Sequence, residues 1–207
     1  MLALKVISAF GRGKASVAFG TPIRVLVPGD PHGFTYLTFL RYTAAGTAHT
    51  LTMMRGQTHA KAVAAADAAA TDIYVDTAMK DGAGNALAAA DLVGIELDDG
   101  SWHLGILDTS GWDAATKKII LTSGTVIPAG RSVAIGGAVV SFGIPGDANH
   151  ANFTLTGTAS ATTSYPAVAN AGPVCKSPYR NSPILISSDN ATATGTIEAV
   201  AAVYAKR

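Results

Sequence analysis

Short runs of apolar and β-branched residues, separated by clusters of Gly, Pro, Asp and Asn, recur along most of the chain. The runs 3–10 and 16–19 are apolar. The run 23–27 lies between Pro22 and the turn-forming Pro28-Gly-Asp-Pro31. Aromatic, β-branched and polar positions mix over 34–42, Ala44-Ala-Gly-Thr47 looks like a turn, and 49–55 alternates. Together 34–55 reads as an antiparallel hairpin.

The central pattern is denser in turn signals. A short strand is expected at 72–76 and a turn at Asp81-Gly-Ala-Gly-Asn85. The runs 91–97 and 102–107 flank Asp98-Asp-Gly-Ser101, and an Asp-Gly turn between two alternating runs is a strong hairpin signal. The runs 118–122 and 132–135 bracket Pro128-Ala-Gly130, and 138–142 stops at Gly143-Ile-Pro-Gly146. About six short strands at regular spacing suggest a small barrel or sandwich.

Further on, 147–180 is rich in Ser, Thr, Ala, Asn, Gly and Pro. The runs 153–156 and 158–162 read as polar-faced strands, and 166–178 as an extended loop. The runs 183–187 and 194–204 are again β-like, and the last is expected to close a sheet. The one helix candidate is 58–71, for its alanine content. It has no large apolar residues at helical spacing, so a connector or a surface helix fits it as well as a packed one. The fold expected is mainly β: an N-terminal β segment (1–69), a small antiparallel β-barrel or sandwich (70–146), and a C-terminal β segment (147–207) packing with the first.

Composition sharpens this picture. The 207 residues include 39 Ala, 22 Thr and 22 Gly, so much of the 48% hydrophobic content is alanine, which buries little area per residue. Charged residues make up 14%, against about 25% in ordinary domains. Few charges leave a neutral surface that suits subunit contacts. No stretch reaches the roughly 18 apolar residues of a spanning helix. The formal net charge of +1 excludes a strong global field for nucleic acid, and one Cys excludes a disulfide framework within the chain. Lys5, Arg12 and Lys14 break the pattern of a secretory signal, so synthesis and retention in a cytoplasm are expected. The sequons at Asn152 and Asn190 are then chance matches.

Charge is also segregated. The segments 1–58, 59–113 and 114–207 carry +5, −8 and +4. Three solvated faces would account for this, and so would complementary contact between segments or between copies.

Chemistry-bearing motifs fail on inspection. Gly11-Arg-Gly-Lys14 lacks the earlier Gly and the following Ser/Thr of a phosphate loop; Ser8 and Ala15 stand there. His32, His49, His59, His103 and His150 form no metal-site spacing. Asp30-Pro-His32 and Asp147-Ala-Asn-His150 could each lend ligands, but turn chemistry explains them better. The pair Asp98-Asp99 has the same reading. Cys175 beside Lys176 could be reactive, though nothing completes a catalytic set. Trp102 and Trp112 suit either a barrel core or a sugar-stacking surface. No catalytic residue, cofactor or metal is expected.

Three stretches resemble the head decoration, or cement, proteins of tailed bacteriophages. Tyr42-Thr-Ala-Ala-Gly-Thr-Ala-His-Thr-Leu-Thr-Met-Met54 looks like an early hairpin of that family. Asp91-Leu-Val-Gly-Ile-Glu-Leu-Asp-Asp-Gly-Ser-Trp-His-Leu-Gly-Ile-Leu107 looks like its small-barrel hairpin. Ser188-Asp-Asn-Ala-Thr-Ala-Thr-Gly-Thr-Ile-Glu-Ala-Val-Ala-Ala-Val-Tyr204 looks like its closing segment. The resemblance implies a non-enzymatic virion protein on the capsid exterior. Its partners would be the major capsid protein and itself, as a homotrimer, with no nucleic acid and no membrane. Lys5, Arg12, Lys14 and Arg24 are the candidate contacts to an acidic capsid surface or a neighbouring copy. Competing readings are another head or tail component, a carbohydrate-binding or adhesin-like β-module using Trp102 and Trp112, and a hydrolase built from distant Asp30, His32 and Asp147.

Overall fold

The chain folds as fifteen β-strands among the residues described by this computed structural model: 2–13, 24–31, 33–45, 49–81, 83–143, 151–157, 162–165, 175–188 and 194–206. Two compact β units result. One is Met1–Arg55 together with Ala151–Arg207; the other, Gly56–His150, is inserted into it.

The discontinuous unit holds two antiparallel sheets. The first has the order β1 (Leu2–Gly13), β15 (Thr194–Lys206), β3 (Gly33–Ala45), β12 (Thr162–Tyr165), with β13 (Cys175–Lys176) also on β3. The second has the order β11 (Ala151–Gly157), β4 (His49–Arg55), β14 (Ile184–Ser188), β2 (Arg24–Val27). The N- and C-terminal segments therefore share a sheet, with Leu2 opposite Lys206 and Gly13 opposite Gly195. The final strand does not close an edge. It lies between β1 and β3 and is hydrogen-bonded to both.

The hairpin expected over 34–55 is not formed. Both strands exist, but β3 pairs with β15, β12 and β13, while β4 pairs with β11 and β14. Alternation specifies that a segment is a strand; it does not specify the partner, which here comes from the far end of the chain. Leu51, Thr52, Met53 and Met54 are all buried, as are Ile184, Leu185, Ile186 and Ser187. Successive side chains point to opposite faces of a sheet, so this pair of strands is covered on both faces.

Polar groups are built into this core. The buried Ser177 hydroxyl accepts from the Thr35 amide at 2.9 Å and donates to the Tyr179 carbonyl at 3.0 Å. The Ser177 amide returns a bond to the Thr35 carbonyl at 2.8 Å. At Gly29 an added Cβ would lie 2.7 Å from the Asn181 carbonyl carbon and 2.8 Å from the Ser182 amide nitrogen, so glycine is required for the close backbone approach.

The inserted unit is one six-stranded antiparallel sheet. Its order is β5 (His59–Lys61), β10 (Ala138–Gly143), β7 (Leu92–Glu96), β8 (Trp102–Asp113), β9 (Lys118–Leu121), β6 (Asp72–Tyr74). The edge strands meet where Ala62 bridges Val75 and the Val63 amide donates to the Tyr74 carbonyl at 2.9 Å. The sheet thus curls on itself as a small barrel. β8 serves two neighbours: 102–106 pair with β7, and Leu107, Trp112 and Asp113 pair with β9. The register shift between Leu107 and Trp112 contains Gly111, whose Cβ would sit 2.9 Å from that of Leu107. Such an irregularity bends a strand and lets one segment join two sides of a barrel.

The β7–β8 hairpin forms as the Asp-Gly signal predicts. Gly100 has φ +77°, and the Asp99 carboxylate accepts from the Ser101 amide and hydroxyl at 2.9 and 2.6 Å. The helix candidate 58–71 is not helical. It supplies β5, the bridges at Ala62 and Ala66, and a turn. Ala60, Ala62 and Ala66 are buried in the barrel core with Ile73, Val93, Ile95, Ile119 and Val139. The amides of Ala66 and Val133 each bond the other's carbonyl, at 3.1 and 2.8 Å. Helix propensity without an apolar stripe yields to these tertiary hydrogen bonds. Because β5 belongs to the barrel, that unit starts at Gly56 rather than at 70. The run 132–135 contributes only the bridge at Val133, not a strand. The run 16–19 and residues 166–174 of the expected loop lie outside the described residues.

Candidate interaction surfaces

The two units carry opposite charge. The discontinuous unit has ten Lys/Arg against three Asp/Glu, net +7; the barrel unit has five against eleven, net −6. A chain that is nearly neutral in total is therefore strongly bipolar by unit.

The four candidate contact residues all belong to the basic unit. Lys5 and Arg12 lie on β1, opposite Val203 and Thr196. Arg24 opens β2, opposite Ser187, and is half-buried. Burial lowers its pKa, and its shielded Nε has no hydrogen-bond partner. Lys14 lies outside the described residues. Lys5 and Arg12 share one strand, whereas Arg24 belongs to the other sheet.

On the barrel, most acids are held in turns. Asp76 has a lowered pKa, first because the Lys61 amide donates to it at 2.9 Å. Asp99 is lowered by the Ser101 hydroxyl and amide, and ion-pairs with Arg131 at 2.8 Å. Asp113 is lowered by the Thr116 hydroxyl and the Ala115 amide. Lys118 is raised by Asp72, its partner at 3.0 Å. The bonds of Asp99 and Asp113 shape loops, a carboxylate accepting the amide two residues on being a turn device, whereas Asp76 and Asp72 tie together segments distant in sequence. Asp98 belongs to the same system, accepting from Ser132 Oγ at 3.2 Å.

The other residues singled out in the sequence take structural places. Asp30 is buried; His32, Asp147 and His150 lie outside the described residues. His103 Nε2 meets the Thr125 carbonyl at 2.8 Å. Trp112 packs against the barrel core, and Trp102 is half-buried with a shielded Nε1 that has no hydrogen-bond partner. Cys175 pairs with Leu37 in the register of β13 on β3. Among the described residues no group of three or more His, Cys, Asp or Glu could hold a metal ion, and no helix is long and apolar enough to cross a membrane.

One surface feature escaped sequence reasoning. Ile135 is 71% exposed and Val63 51% exposed. The Gly136 amide donates to the Ala62 carbonyl at 2.8 Å, which ties the Ile135 loop to the segment carrying Val63. Next to Val63, Tyr74 is also exposed, with Lys118 Nζ 5.9 Å from its ring centroid. Ile135 ends the run 132–135 and Val63 lies in the helix candidate, and neither reading singles out an exposed apolar side chain. The available signal was Gly136-Gly137 directly after Ile135, a turn sequence that places the side chain at a loop tip.

Compared with known proteins, the chain matches no family model, no curated protein and no solved structure. Its class rests on its own architecture: a mainly β protein with an antiparallel barrel inserted into a two-sheet β unit.

Proposed function

We propose that the chain is a structural, non-enzymatic protein of a tailed-phage virion. The favoured role is that of a capsid decoration protein, which binds the outer surface of the head and bridges major capsid subunits. The observation that carries this reading is the division into two β units of opposite charge. A bridging protein needs two distinct surfaces, and many weak contacts made at once add through effective concentration. Sheet frameworks rich in small residues, with few charges, suit such contacts. The basic unit, with Lys5, Arg12, Lys14 and Arg24, is the side assigned to an acidic capsid surface or to a neighbouring copy. The chain would act as an oligomer, a trimer by the resemblance described above, on a virion assembled in the host cytoplasm.

The test is cosedimentation of the purified chain with emptied phage heads, with head melting temperature as a second readout. Saturable binding that raises the melting temperature is expected, because a ligand that binds only the assembled state stabilises it. The double variant Lys5→Glu, Arg12→Glu should weaken that binding. Failure to bind any head, with the chain folded, would overturn the reading.

A further inference from the structure

We propose that the barrel carries a docking knob for the basic β unit of a second copy of this chain, so that copies associate head to tail. The knob joins two features. The loop bearing Ile135 is bound to the acidic β7–β8 tip: the Asp98 amide donates to the Ser132 carbonyl at 2.9 Å, and the Ala138 amide donates to the Glu96 carboxylate at 2.9 Å. The exposed Ile135 side chain is therefore bordered by Glu96, Asp98 and Asp99, while Val63 lies on the flank that carries Lys61, Tyr74 and Lys118. Three basic residues adjoin this surface: Arg131 is ion-paired to Asp99, Lys118 to Asp72, and Lys61 donates its amide to the Asp76 carboxylate, so an acid stands beside each.

An exposed isoleucine on a Gly-bounded loop contributes nothing to the barrel's own core, and an apolar side chain inside an acidic border suits a basic partner. The chain supplies such a partner: the unit of net +7 on another copy, facing a barrel of net −6. Complementary fields orient the encounter, while buried apolar area holds the complex. Because knob and receptor are different surfaces, the contact is heterologous; it closes into a ring when the rotation permits and otherwise extends as a filament. The inference needs no capsid, and its test is made without one.

The experiment is light scattering and sedimentation on the full-length chain at low and high salt. Oligomers are expected at about 50 mM salt, with the dissociation constant rising at least about tenfold near 500 mM as screening shortens the range of the fields. Ile135→Lys should weaken association at low salt by at least about tenfold, since it removes the apolar anchor and places like charge against the receptor. Ala115→Lys, the same charge change at the exposed β8–β9 turn, should cost much less. The double variant Lys5→Glu, Arg12→Glu should flatten the salt dependence. Unchanged thermal melting of each variant separates association from folding. A monomer at every salt concentration, a salt-independent oligomer, or Ile135→Lys associating like the parent would each overturn the proposal.

Discussion

The inserted barrel and the unit around it are both antiparallel β, yet they are built in opposite ways. In the barrel, successive strands such as β7 and β8 pair across a four-residue Asp-Gly turn. In the surrounding unit the longest pairing joins residue 2 to residue 206. The barrel core is lined in part by alanine, and tight turns capped by carboxylates set its geometry. The surrounding unit buries Leu51, Met53, Met54 and Ile184 to Ile186 on strands covered on both faces. One region is specified by local turn chemistry, the other by long-range burial. Long-range pairing must overcome loop-closure entropy before its contacts form, so the two regions should respond differently to the same kind of lesion.

The largest expected effect comes from emptying either core. Leu185→Ala and Ile95→Ala each remove a fully buried side chain, and each should cost about 2–5 kcal/mol. Hydrogen exchange should localise the damage: Leu185→Ala lowers protection in β2, β4 and β14, and Ile95→Ala lowers it in β7, β8 and β10. Equal loss of protection in both units from either variant would mean that they unfold as one, and would break the comparison.

Next come the glycines at close approaches. In Gly29→Ala the new methyl meets backbone on both sides, at 2.7 and 2.8 Å. In Gly105→Ala it meets the flexible end of Leu121 at 2.6 Å and Val93 at 3.1 Å. Overpacking typically costs about 1–3 kcal/mol, and backbone yields less readily than a leucine tip, so Gly29→Ala should be the more damaging in chemical denaturation. The reverse order would show that the barrel core is the stiffer of the two.

These contrasts explain what the sequence revealed. The β7–β8 hairpin was legible because Asp98-Asp-Gly-Ser101 encodes its turn locally. The strands β3 and β4 were legible as strands, but their placement in different sheets was not, since β15 and β14 lie far along the chain. Alanine misled at 58–71: local propensity favours a helix there, and only the bonds to Val133, Gly137 and Tyr74 reveal an extended segment. Of the surface, the opposite charges were visible as blocks along the chain. The exposed Ile135 was not, because an isoleucine after Ser-Val-Ala reads as a strand until the following glycines are weighed.

Smaller, and of opposite sign, is the effect of relieving backbone strain in the barrel. Ala69 and Ala90 have φ of +66° and +68°, a region where a Cβ is unfavourable. Replacing either with Gly should stabilise the barrel by roughly 0.5–1 kcal/mol, after the extra entropy glycine loses on folding. A rise in the thermal midpoint followed by tryptophan fluorescence checks this, since both tryptophans lie in the barrel unit. No rise would mean that the turns relax around the alanines at no cost.

The gentlest way to separate the regions is acid. Among the described residues, the carboxylates held below the ordinary aspartate range by their hydrogen bonds are Asp76, Asp99 and Asp113, all in the barrel. A carboxylate whose folded pKa lies below its unfolded value contributes stability that is fully present above the unfolded value. That contribution is lost as pH falls through the folded value. Near pH 7 all three contributions are in place, and they fade below about pH 4, the ordinary aspartate range. The sites are exposed, so solvent screening keeps each contribution small. Tryptophan fluorescence should therefore report a barrel that loosens on acidification from about pH 5 to pH 3, and Asp113→Asn should blunt the response. Local turn chemistry predicts that sensitivity for the barrel, because its loops are shaped by ionised aspartates accepting amides. An acid response centred instead on the amides of β3 and β15 would place the titrating groups in the long-range sheet and remove turn ionisation as the distinguishing feature of the barrel.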